Sequence, residues 1–116
     1  RRFAMTDDMI SILETIIQSL VAGNYDAVVE LTNGVRLDKE SIKEFINDYG
    51  RTLATVPRAC LENSLVIEID NASVPSYYVR VPLWTVEEGM SDLSMEVTMR
   101  DEPSGLKVEL DNIHVL

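Results

Sequence analysis

The chain has 116 residues, 46% of them hydrophobic, and carries ten Lys/Arg against twenty Asp/Glu for a net charge of −10. That length and composition fit one domain with a real core and exclude disorder by composition. The acidic balance disfavours nucleic-acid binding, the single Cys60 excludes an internal disulfide, and no apolar run approaches the roughly 20 residues that span a bilayer.

The first helix is expected from Thr6, an N-cap followed by Asp7 and Asp8, whose charges suit a helix start. Met9, Ile10, Leu13, Ile16, Ile17, Leu20 and Val21 recur at three-and-four spacing, and Gly23 stops the run. Asn24 caps a short second helix, Tyr25 to Leu31, ended by Asn33-Gly34. Asp38 caps a third, with Ile42, Phe45, Ile46 and Tyr49 as its buried stripe, Leu53 as a continuation and Gly50 or Pro57 as its end. Its outward Glu40, Glu44 and Asp48 share a face, with Lys39 and Lys43 beside them as compensation.

Beyond Pro57 the period changes to two. Leu65, Ile67 and Ile69 alternate with Val66 and Glu68, and Asp70 to Pro75 is a turn-rich connector. A second strand sets Tyr77, Val79, Val81 and Leu83 against Tyr78, Arg80, Pro82 and Trp84. Pro82 cannot donate to a ladder and marks an edge, a bulge or the strand's end. A third sets Leu93, Met95, Val97 and Met99 against Ser94, Glu96, Thr98 and Arg100. The last strand points Leu106, Val108 and Leu110 inwards, then slips parity before Ile113 and Val115. An extra residue at Asp111-Asn112, a bulge, restores the facing. Helices first and strands afterwards predict a single α+β domain over residues 1–116. Three N-terminal helices pack on a curved four-stranded antiparallel meander.

Chemistry is sparse. There is no Gly-rich phosphate loop and no Cys/His cluster at metal spacing, so neither cofactor nor metal is expected. His114 has no sequence-adjacent nucleophile and reads as a structural or surface histidine, and Cys60 as a small buried hydrophobe. No catalytic residue is assigned. After position 58 only Arg80, Arg100 and Lys107 oppose eleven Asp/Glu, a net of −8 for that half. Trp84 opens an acidic connector with Glu87, Glu88 and Asp92, near Tyr78 and Arg80. These six residues have the composition of an interaction hot spot, with Arg80 placed to pair with one of the acids.

The pattern Trp84-Thr85-x-Glu87-Glu88-Gly89-x-Ser91-Asp92-Leu93 resembles a family of small uncharacterised bacterial domains. VAGNYDAVVELTNG, YGRTL and the closing Asp111-to-Leu116 strand extend the likeness over Ile16 to Leu116. No activity, and so no catalytic residue, is implied by it. The order of elements loosely resembles cystatin-like cones, including nuclear transport factor 2-like domains, for which the chain is short. Function does not follow from such a likeness. Two functions are therefore expected in competition. One is a non-catalytic, cytoplasmic module that binds a basic protein, for example as a toxin-neutralising immunity protein. The other is a small-molecule-binding or enzymatic cone whose pocket, between helices and sheet, is lined by Tyr49, Tyr77, Tyr78 and Trp84.

Overall fold

The computed structural model describes residues 1–34 and 36–116. Helix α1 spans Asp7–Val21, and its cap is as expected: the Thr6 hydroxyl accepts from the Met9 amide at 3.2 Å. Met9, Ile10, Leu13, Ile16, Ile17 and Leu20 form its buried stripe. Asn24 caps α2, Tyr25–Leu31, by accepting from the Ala27 amide. Asp38 caps α3, Lys39–Tyr49, through the Ser41 amide at 2.8 Å, a bond that holds its carboxyl below the usual range. Gly50, at φ 73°, ends α3 in the left-handed region.

Several details depart from expectation. Leu53 does not extend the α3 stripe: with Ala54 it forms β1, paired with Thr85 and Trp84. A fourth helix, α4 at Arg58–Glu62, carries Cys60, half-buried. Five residues are too few to display a helical period, so nothing in the pattern announces it. In β2, Leu65–Glu68, the fully buried residue is Val66 rather than Leu65 or Ile67, because Val66 pairs with the inward Val79.

Strands β3 (Ser76–Thr85), β4 (Gly89–Glu102) and β5 (Gly105–Val115) form the antiparallel meander, and β1 and β2 both pair with the free edge of β3. The result is an α+β domain whose antiparallel sheet is four strands wide and curled. The inner face is as alternation predicts, with Val79, Val81, Met95, Val97 and Met99 wholly buried beneath Leu13, Ile16 and Ile42. Burying such side chains is worth about 1.5–3 kcal/mol each. The bulge in β5 falls at Asp111: Glu96 faces Asn112 while Val97 faces Leu110, so Asp111 is the extra residue and Ile113 stays inward. Val115, beyond it, is 55% exposed rather than inward.

Candidate functional site

The β3–β4 turn is built from side chains that return to the chain. Thr85 Oγ1 accepts from the Glu88 amide at 3.0 Å and donates to Glu88 Oε2 at 2.9 Å. The Tyr49 hydroxyl donates to the same carboxylate. Glu87 turns the other way, accepting from the Thr52 amide and hydroxyl at 2.9 Å each, while the Val86 amide donates to the Thr52 carbonyl. The Thr52 amide first, then Glu87's own amide and the Thr52 hydroxyl, hold the Glu87 carboxyl below its ordinary range. The two acids therefore tie the turn to the end of α3 and the start of β1, although both remain exposed.

Trp84 is half-buried beside that turn, opposite Ala54 and Met90. Its ring lies over Gly89, where a Cβ would stand 3.6 Å from it, and its indole N–H is buried without a partner among the described residues. Asp92 is exposed in the irregular stretch of β4 that faces Leu83, and its carbonyl accepts from the Leu116 amide at 3.3 Å. Tyr78 and Arg80 lie further along β3, and Arg80 forms no ion pair among the described residues, with these acids or any other. The six residues expected to form one hot spot thus divide: Trp84, Glu87 and Glu88 at the turn, Asp92 on β4, Tyr78 and Arg80 on the outer sheet face.

That outer face carries a polar network absent from the sequence reading. Glu96 accepts from the Tyr78 hydroxyl on one carboxylate oxygen and pairs with His114 Nε2 on the other. Burial first, then the Glu96 hydrogen bond, push the Tyr78 phenol up to about 12, against the opposing pull of Arg80. Thr98 donates to Asp111 at 2.6 Å, Arg36 Nε sits 3.0 Å from the other Asp111 oxygen, and Arg100 pairs with Glu109. His114 therefore has a carboxylate partner. The bulge at Asp111 sets which β5 residues share a face with Glu96, and spacing alone does not show that. With both oxygens engaged, Glu96 is a positioned member of a sheet-face network rather than an unoccupied base.

The four aromatics expected to line one pocket do not converge. Tyr78 and Trp84 face outwards, Tyr49 meets the turn, and Tyr77 points inwards at the far end of β3. A depression of about 630 Å³ is open and lies between α1, α2 and the start of β5, where none of the four lines it.

At the Tyr77 end the carboxylates are unpaired. Asp8, Glu68, Asp70, Asp101 and Glu102 form no ion pair among the described residues, nor do the exposed Arg1 and Arg2 nearby. Asp7, Glu14 and Glu62, by contrast, gather on Arg58, and Asp26 pairs with Lys39. Glu40, Glu44 and Asp48 stay exposed along α3 with Lys43 among them. A cleft of about 260 Å³ opens among the acids at the Tyr77 end, lined by Phe3, Asp8, Tyr77 and Asp101, with the Phe3 and Tyr77 ring centroids 4.4 Å apart. Burial, then Glu68, then Asp101, raise the Tyr77 phenol.

Among the described residues no group of three or more His, Cys, Asp or Glu is placed to hold a metal ion, and no helix is long and apolar enough to cross a membrane. Compared with known proteins, residues 17–116 match one family model, described as a domain of unknown function, DUF7668. No curated protein and no solved structure matches the chain.

Proposed function

The chain belongs to the DUF7668 family, and from that premise we propose that it is a non-catalytic acidic module that binds a basic protein partner. The observation that carries the reading is the set of carboxylates without ion pairs among the described residues around the Phe3–Tyr77 pair, whereas Asp7, Glu14, Asp26 and Glu62 pair within the chain. Unpaired carboxylates beside aromatic surface suit lysine and arginine side chains, by charge and by cation–π contact. This moves the interaction surface from the Trp84–Asp92 turn to the opposite end of β3. At the turn, Glu87 and Glu88 already have partners inside the molecule. Neutralising a toxin by covering the cationic active site of a nuclease is one concrete form of this activity.

A lysine- and arginine-rich peptide, titrated into the isotope-labelled protein at low salt, tests it. Shifts at Phe3, Tyr77 and Gly105 that fade steeply with added salt support the reading. Charge reversal of Asp8 and Asp101 should then abolish them, while reversal of Asp92 leaves them in place. Absence of binding at low salt, or binding indifferent to Asp8 and Asp101, overturns it.

A further inference from the structure

The ladder along one edge of β3 is interrupted. Pairing with β2 stops at Arg80 and pairing with β1 starts at Trp84, so among the described residues Val81, Pro82 and Leu83 have no paired strand on that side. Proline suits this place, since an unpaired edge does not need its missing N–H. Residues of α4 and the start of β2 border the gap, and on the other side of β3 the pairing with β4 shifts register between Pro82 and Trp84. A groove of about 410 Å³ results, lined mainly by apolar groups that include Leu65, Pro82 and Met90, the last 56% exposed at the rim.

Two polar side chains, Arg80 and Ser94, line it from the sheet, Arg80 beside the Tyr78 phenol. Arg80 is half-buried and has no carboxylate within ion-pair distance among the described residues. Glu96, directly opposite in the ladder, is occupied by Tyr78 and His114. Ser94 is 2% exposed and is a lining residue of the groove. A half-buried cation with no carboxylate beside it in a mainly apolar groove is unfavourable unless something engages it.

We infer that this groove binds a small organic monocarboxylate with an apolar stem. Arg80 would take the carboxylate, Ser94 would donate to it, and Leu65, Pro82 and Met90 would cover the stem. One cation and one hydroxyl match a single negative charge. A phosphate dianion would meet the neighbouring Glu96 and a chain of net charge −10. The carboxylate belongs either to a free acid or to the C-terminus of a peptide. This site is separate from the acidic end proposed to bind a basic partner.

Titration of the full chain with hexanoate and with hexanamide, followed by methyl resonances of Met90 and Leu65, tests the inference. Two six-residue peptides ending in leucine, one with a free and one with an amidated C-terminus, separate the sources. Saturable shifts with hexanoate assign a free acid. Shifts with the free-ended peptide alone assign a chain terminus. Arg80→Gln should weaken binding about ten-fold or more, as loss of a charge-assisted hydrogen bond does, and Arg80→Lys should recover part of it. Met90→Glu, at the exposed rim, should also weaken it by charge repulsion, and it decides the matter if Arg80→Gln does not fold. Equal response to hexanoate and hexanamide, no response to hexanoate or either peptide, or binding unaffected by Arg80→Gln overturns the inference. Charge reversal at Asp101 should leave hexanoate binding intact, so failure of the basic-partner reading is read out separately.

Discussion

The Tyr49 hydroxyl lies 2.9 Å from each oxygen of the Glu88 carboxylate, joining the last residue of α3 to the β3–β4 turn across 39 residues of sequence. Thr85 completes the arrangement from below. Tyr49→Phe removes the donor and leaves the ring, so it should cost about 1 kcal/mol, the usual net worth of such a bond. Urea unfolding of the two proteins measures it. A double-mutant cycle with Glu88→Gln should show coupling between the two sites.

Glu87 makes stability depend on acid pH. Its carboxyl is depressed in the folded protein, chiefly by the Thr52 amide. Its stabilising share is therefore present above the unfolded carboxylate range of about 4 and disappears as pH falls through the lower folded value. Glu87→Gln should be less stable than the parent at neutral pH, and the gap should close on acidification. Thermal melts across that range would show a constant gap if the Thr52 contacts were unimportant.

Tyr78 sets the alkaline side. Its phenol is raised to about 12, so its contribution is intact below the unfolded value of about 10 and is lost as pH climbs from there to about 12. Ultraviolet titration should show this tyrosine ionising late. Glu96→Gln should bring it down only part-way, because burial is the larger cause and remains.

Gly89 tests whether backbone or ring governs the turn. At φ 76° an alanine is strained, while its Cβ would meet the Trp84 ring at 3.6 Å, an ordinary contact. Gly89→Ala should cost about 1–2 kcal/mol from the left-handed backbone alone. Gly23→Ala, at φ 71° with open space around it, should cost much the same. A far larger loss at Gly89, measured by chemical denaturation, would mean that the indole cannot shift.

Where local chemistry decides, the sequence was legible. Thr6, Asn24 and Asp38 each cap the helix that follows, and Gly50 stops α3, because capping needs only a residue and its near neighbours. Period-two alternation assigned the inner faces of β3 and β4, and the parity slip located the bulge at Asp111. What stayed hidden depends on register. β2 is apolar on both parities, so only its pairing with Val79 selects Val66 as the buried residue. Thr52 and Tyr49, which engage Glu87 and Glu88, lie 35 and 39 residues away, which is why a turn dense in charge read as an unoccupied surface. His114 meets Glu96 only once the bulge has set the facing of β5.

The break between β1 and β2 also bears on how the protein behaves in a crowd of its own copies. A long, straight, unpaired strand invites another chain to add to it, and short or irregular edges discourage this. On one side the sheet offers only two-residue β1 and four-residue β2, and Arg2 and Phe3 already lie against the outer side of β2. On the other, the eleven residues of β5 are bent by Asp111, whose carboxylate Arg36 holds at the rim. Fragmentation guards one margin and a kink guards the other, so joining β1 to β2 as one continuous strand, or straightening β5, would turn a self-limiting sheet into a template for aggregation.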